Sequence, residues 1–229
     1  GGPLMFRLID RDKDGFLVLV PGWGFDWRIF SSLNLPFNYL YYCSQRPEDF
    51  VFTLEKFFHS HGLSRISLLG WSMGGFESYN FAVKHPEMVE NLYLVSVRRK
   101  YDTDSLSGIR EMLHSNCRAY LMSFYRSCFS PSEKAQYADF KRSLMKDYLE
   151  TFTCPSLLQS LEWIGNAEIA PSGLGKLRSV KIVHGAEDRI ALPEEAMQLA
   201  DSAALSGLTV LESAGHLPFL RTDFAESLL

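Results

Sequence analysis

Short apolar runs of strand length alternate with amphipathic stretches of helical spacing along most of the chain. The strand-like runs are Met5–Ile9, Phe16–Val20, Tyr39–Tyr42, Arg65–Leu69, Asn91–Val95, Ser179–Val183 and Leu208–Leu211. Their alternation with helices predicts an α/β protein with a mostly parallel sheet flanked by helices. From Pro47 to His61, the residues Phe50, Val51, Leu54, Phe57, Phe58 and His61 recur at i, i+3, i+4 spacing, with Pro47, Glu48 and Asp49 in front and Gly62 behind. Those are the start and stop signals of a helix. A second helix is expected from just after Ser72 to about Lys84, with Pro86 ending it, and two more over Pro193–Ala203 and Thr222–Leu228. Met5–Ile9 is expected to pair with Phe16–Val20 as a hairpin about Lys13-Asp14-Gly15, because Asp-Gly suits a tight turn. That pairing gives the sheet an antiparallel edge.

The alternation stops between about Arg98 and Lys176, where two helical patterns replace the strands. Ile109, Met112, Leu113, Tyr120, Leu121, Phe124 and Cys128 stripe the first. The second opens at Ser130-Pro131-Ser132-Glu133, a capping box with Pro at the first helical position. An all-helical insertion of this size reads as a lid over the ends of the sheet. The expected division is therefore a core of residues 1–97 and 177–229 with a helical lid at 98–176, inserted after the sixth strand. Residues 98–146 hold ten Lys or Arg against five Asp or Glu, whereas the whole chain has 23 basic and 27 acidic residues and a net charge of -4.

That acidic balance gives no reason to expect nucleic acid or an anionic membrane as a partner. With 229 residues, 46% of them apolar, the chain suits one domain with a sizeable core. Cys43, Cys117, Cys128 and Cys154 form no C-x-x-C pair and no zinc spacing. Reduced thiols in a cytoplasmic monomer are the expectation, in keeping with a first segment that lacks the layout of a signal peptide. The longest apolar run is far too short to span a bilayer. Asp10, Asp12, Asp14 and Gly15 begin like a calcium loop, but the twelfth position is Pro21 where a bidentate Glu is needed, so calcium is rejected.

The chemistry concentrates at the ends of the predicted strands. Gly70-Trp71-Ser72-Met73-Gly74 matches G-x-S-x-G between a strand and a helix. In that setting a serine stands exposed on a strained turn at a helix N-terminus, placed to attack an acyl carbon. A serine nucleophile needs a base, and the base needs an orienting acid. Asp188 follows the strand Ser179–Val183, with Glu187 beside it as the alternative acid. His216 follows Leu208–Leu211 and is preferred as base over His59, His61, His85, His114 and His184. The oxyanion needs two backbone N–H donors. Met73, after the nucleophile, supplies one, and Trp23 in Pro21-Gly22-Trp23-Gly24 is the candidate for the other. Phe124, Tyr125 and Phe129, with Phe25 and Trp27, suggest an apolar acyl tunnel.

Pro-Gly-Trp-Gly at 21–24, Gly-Trp-Ser-Met-Gly-Gly at 70–75, His85-Pro86-Glu87, Gly185-x-x-Asp188 and Gly215-His216 together resemble the α/β-hydrolase superfamily over essentially the whole chain. The paired Gly-Trp-Gly and Gly-Trp-Ser-x-Gly-Gly motifs resemble, within it, the pimeloyl-acyl-carrier-protein methyl ester carboxylesterases of biotin synthesis. That resemblance implies a triad of Ser72, Asp188 and His216, an oxyanion hole of the Trp23 and Met73 amides, and no metal or cofactor. It also implies that Trp71 lines the acyl pocket, and that basic lid residues hold an acidic carrier protein. Arg110, Arg118, Arg126, Lys134, Lys141, Arg142 and Lys146 are the candidates for that contact. Two departures bear on substrate: Pro21 stands where the family has His, and Tyr39 to Gln45 runs straight to Pro47 without the family's Gly-rich loop. The expected activity is that of a serine carboxylesterase on an acyl ester. Another hydrolase or acyltransferase reaction of the same triad is one alternative, and a non-catalytic binding protein on this fold is the other.

Overall fold

The computed structural model describes residues 4–229. Among them seven strands form one sheet: β1 (Phe6–Ile9), β2 (Phe16–Val20), β3 (Asn38–Tyr42), β4 (Ile66–Trp71), β5 (Val89–Val95), β6 (Val180–Gly185) and β7 (Leu208–Leu211). Their order is β1-β3-β2-β4-β5-β6-β7, and every pairing is parallel except β1 with β3. The antiparallel edge is present, but the expected hairpin is not. Both sides of β2 are taken by β3 and β4, so β1 crosses to the outer side of β3. The Asp-Gly segment is tied to the start of β3 instead: Asn38 Oδ1 accepts from the Arg11 and Lys13 amides at 2.7 and 3.2 Å, and Asn38 Nδ2 donates to the Lys13 carbonyl.

Helix α1 (Phe50–His61) ends at Gly62 with φ 60°, and α2 (Met73–Lys84) ends before Pro86. With α8 (Pro193–Ser202) they cover one face of the sheet, burying Val18, Val20, Leu68, Leu92, Leu94 and Ile182. The alternate residues Leu17, Leu19, Leu69, Trp71, Val95 and Val183 bury on the other face, under α9 (Phe224–Leu228) and the aromatic side of the lid. Both faces are therefore dry, as the near-continuous apolar strands require.

Between β5 and β6 lie α3 (Thr103–Ser127), α4 (Lys134–Phe140), a π-turn at Lys141–Met145, α5 (Lys146–Thr151), α6 (Cys154–Asn166) and α7 (Pro171–Leu174), with no strand. Only five strand-length runs precede this segment, so counted along the described chain it follows the fifth strand rather than the sixth. Helix α3 is broken at Asn116 (φ -158°, ψ 90°), and α4 starts at Lys134, not at Pro131. Glu133 does accept from the Ser130 amide at 2.9 Å, one half of the expected capping box. The Ser130 hydroxyl is engaged elsewhere, donating to the carbonyl of Ser213 at 2.6 Å. No helix among the described residues is long and apolar enough to cross a membrane.

Candidate active site

The turn from β4 to α2 holds Ser72 at φ 55°, ψ -118°, a strained conformation for a residue with a side chain. The turn around it is closed by glycines two residues to either side. A Cβ on Gly70 would collide with the Gly74 carbonyl, and one on Gly74 with the Val20 carbonyl. The strain lifts the Ser72 hydroxyl above the sheet at the N-terminus of α2.

The Ser72 hydroxyl donates to His216 Nε2 at 3.0 Å, and His216 Nδ1 donates to Asp188 Oδ2 at 2.8 Å. The three residues come from the loops after β4, β7 and β6, all at the carboxyl edge of the parallel sheet. Asp188 Oδ1 accepts from the amides of Ile190 and Ala191 at 2.8 and 3.0 Å. His184 Nε2 lies 3.2 Å from Asp188 Oδ2 and donates to the Ala191 carbonyl at 2.8 Å. Burial by itself would raise the Asp188 pKa, but the charge of His216 and the hydrogen bonds from His184 and His216 outweigh it and hold the carboxyl far below the usual carboxylate range. Asp188 is therefore an anion, placed to hold the His216 Nδ1 proton and so to fix the imidazole tautomer. Glu187 points to solvent, and Asp188 takes the contact with His216.

The histidine loop is held from two sides. Trp71 Nε1 donates to the His216 carbonyl at 2.7 Å, and the His216 amide donates to the Cys128 carbonyl at 2.8 Å. The Gly215 amide donates to Glu133 Oε1, also at 2.8 Å. The segment between β5 and β6 is thus tied to the backbone of the histidine loop.

Above Ser72 is a cavity of about 40 Å³ lined by Trp23, Met73, Tyr101, Leu106, Ile109, Tyr120, Phe124, Leu161, Ile164 and Ile190. The amides of Trp23 and Met73 donate to no group among the described residues. Met73 is the first residue of α2, whose leading N–H groups have no partner inside the helix. Two unengaged donors beside a serine hydroxyl suit a developing oxyanion.

A family model described as "Alpha/beta hydrolase family" matches residues 5–226. The chain belongs to the alpha/beta hydrolase family. No curated protein matches its sequence. The hydrolase is similar in fold to MGS-M2, an alpha/beta hydrolase enzyme from a Medee basin deep-sea metagenome library, with TM-score 0.79, 16% identity, and 97% of this chain and 90% of that chain covered. It is similar also to an esterase from Exiguobacterium antarcticum, with TM-score 0.76, 18% identity, and coverage of 97% and 93%. An enol-lactonase from Burkholderia xenovorans LB400 aligns with TM-score 0.79, 16% identity, and coverage of 97% and 93%.

Among the residues singled out in the sequence of this alpha/beta hydrolase, Trp23 and Phe124 line the cavity and pack edge to face at 5.2 Å. Trp71, Tyr125 and Phe129 do not. Trp71 is fully buried beneath Ser72, and Tyr125 turns into the core to donate to the Gly24 carbonyl at 2.6 Å. Phe129 packs on Phe140 and Tyr137. Adjacent helical residues point about 100° apart, so only Phe124 of the pair 124–125 faces the cavity. Phe25 and Trp27 likewise do not line the cavity and pack on Trp71 and Tyr41. Arg110, Arg118, Arg126, Lys134, Lys141, Arg142 and Lys146 are all exposed. Arg126 and Lys141 lie over the Tyr137 ring, and Arg142 pairs with Asp139 at 2.7 Å. Ile109 and Tyr120 belong to the apolar stripe of the first lid pattern. Tyr101, Leu161, Ile164 and Ile190 carry no sequence signal that ties them to Ser72.

Proposed function

We propose that the chain is a serine esterase that hydrolyses esters of short acids through an acyl-enzyme. The observation that carries this reading is the hydrogen-bonded run from Ser72 through His216 to Asp188, opening on an apolar cavity beside two unengaged amides. His216 Nε2 takes the proton of Ser72 as its oxygen attacks the ester carbonyl, and the carbonyl oxygen becomes an oxyanion facing the Trp23 and Met73 N–H groups. Collapse of this intermediate breaks the bond to the alkoxy oxygen, which leaves as the alcohol with the proton from His216. Water, deprotonated by the same histidine, then attacks the acyl-enzyme and releases the carboxylic acid and the free serine. The esterase and the enol-lactonase among the similar structures support carbonyl–oxygen bond cleavage on this scaffold.

Cavity size favours short acyl groups over a pimeloyl chain, since about 40 Å³ holds on the order of three water molecules. Delivery of the acyl group on an acidic carrier is a second reading, favoured by the exposure of all seven basic lid residues. The test is a series of p-nitrophenyl acyl esters, monomethyl dicarboxylates and an acyl-carrier-protein ester, run on the protein and on Ser72→Ala. Turnover that peaks at short chains and falls about 10³-fold or more in Ser72→Ala is the expected result. Equal rates for both proteins would remove the serine esterase reading. A preference for the carrier-borne ester that fades with salt would favour the second.

A further inference from the structure

Among the side chains lining the cavity the hydroxyls are those of Ser72, Tyr101 and Tyr120, and the Trp23 indole N–H is engaged by the Leu157 carbonyl at 3.0 Å. The Tyr120 phenol forms no hydrogen bond with any described residue and that of Tyr101 reaches only the Ser72 hydroxyl, whereas the nearby phenols of Tyr125 and Tyr148 donate to the Gly24 carbonyl and to Asp26 Oδ1 at 2.6 and 2.9 Å. Tyr101 stands beside the nucleophile, close enough for its hydroxyl to interact with that of Ser72. Burial pushes its pKa up to about 12, with Asp188 adding to the rise against the lowering effects of Arg98 and Ser72, so the phenol keeps its proton at neutral pH.

The ring is braced from behind. The Arg98 guanidinium lies 4.4 Å from the ring centroid of Tyr101, and an ion pair with Glu195 anchors Arg98. Phe76 packs against the ring as well. A phenol so braced offers a donor in a fixed direction, at little entropic cost on binding.

Sheet order decides which substrate atom it serves. Strand β4, which ends at Ser72, lies between β2 and β5. The Trp23 amide follows β2 and Tyr101 follows β5, so they flank the nucleophile on opposite sides. An oxyanion directed at the Trp23 and Met73 amides therefore points away from Tyr101. The phenol is left for a second acceptor on the substrate, close to the ester carbonyl because Tyr101 lines the same small cavity as Ser72.

We infer that Tyr101 is a specificity-determining residue whose phenol donates to an oxygen on the acyl chain, so that the preferred substrates are esters of short acids carrying a hydroxyl or keto oxygen on the second or third carbon. This rests on the esterase reading above. A pocket that hydrogen-bonds a substrate oxygen disfavours analogues lacking it, because an apolar group then faces the donor.

Two isosteric ester pairs test it: methyl 2-hydroxypropanoate against methyl 2-methylpropanoate, and methyl 3-hydroxybutanoate against methyl 3-methylbutanoate. Proton release gives kcat/KM for the wild type and for Tyr101→Phe, and calorimetry gives the affinity of the same esters for Ser72→Ala with and without Tyr101→Phe. The expected result is a preference of about tenfold or more for the hydroxy ester in at least one pair. Tyr101→Phe should abolish that preference while keeping or improving turnover of the methyl isostere. Equal kcat/KM within both pairs, or a preference that survives Tyr101→Phe, overturns the inference and leaves the esterase reading standing. Absence of turnover together with a Tyr101-dependent binding preference supports the inference and overturns the esterase reading instead. Neither turnover nor binding overturns both.

Discussion

Two buried carboxyls in this hydrolase are driven in opposite directions. Asp188 collects two amides and two imidazoles and stays an anion. A group with a lowered folded pKa contributes stability that is present above its unfolded value and is lost as pH falls towards the folded one. Asp188 therefore stays ionised across the neutral range, and an acid limb in the activity profile reports another group. Asp188→Asn should keep the fold yet lower kcat by about 10⁴-fold, read by steady-state kinetics, because the amide no longer selects the imidazole tautomer that accepts from Ser72. Glu77, on α2 one turn beyond Met73, is 1% exposed, and its Oε2 has no partner among the described residues. Burial, with a smaller contribution from Glu48, raises its pKa well above the usual range. The folded chain keeps that proton while the unfolded chain releases it above about pH 4.3, so stability falls as pH rises, by about 1.4 kcal/mol per unit until the folded pKa is reached. Glu77→Gln removes this slope. Denaturant melts should show the variant gaining on the wild type from pH 5 to pH 8 and matching it near pH 4.

At the scale of elements, the connection from α3 to α4 carries more than a turn. Cys128, Ser130 and Glu133 bind the backbone of Ser213, Gly215 and His216. A Cβ on Gly215 would meet the Cys128 carbonyl at 2.7 Å and Glu133 Oε1 at 2.8 Å. Gly215→Ala should consequently push the histidine loop off the lid, cutting kcat by about tenfold or more while KM changes little. Equal kinetics in the two proteins would show that the loop tolerates the shift. The same connection shows where sequence reading stops. Ser130-Pro131-Ser132-Glu133 has every local mark of a helix start, but Glu133 divides its Oε1 between the Ser130 amide and a Gly215 amide 82 residues away. Local spacing cannot register a partner so distant. Pairing of β1 failed for the same reason, since the competitor for β2 is β4, far along the chain. By contrast, Ser72, Asp188 and His216 were legible because each sits on a short motif at a strand end. Helix α1 was legible because its caps and its apolar stripe agree. Tyr101 and Ile190 were not, since they join the cavity only through the order of strands.

Across the whole molecule, one aromatic cluster joins the sheet to the lid. Phe25 packs on Trp71, Tyr125, Phe140 and Tyr148, so the ring beneath the nucleophile and the rings of the lid share one core. Phe25→Ala should thus cost about 3–5 kcal/mol in one cooperative transition, with lid and sheet melting together in calorimetry. Two separate transitions would mean that the lid folds on its own. Helix α3 contributes to the cavity on both sides of its break, with Leu106 and Ile109 before Asn116 and Tyr120 and Phe124 after it. Only the later half leads directly into the contacts with the histidine loop. The earlier half lacks those anchoring contacts, so amide exchange should be faster over residues 103–115 than over 117–127. A door made of that half would hang on the side away from the histidine loop. On the esterase reading proposed above, ester could then enter and acid leave while Ser72, His216 and Asp188 stay aligned, so the traffic of one turnover need not undo the machinery required for the next.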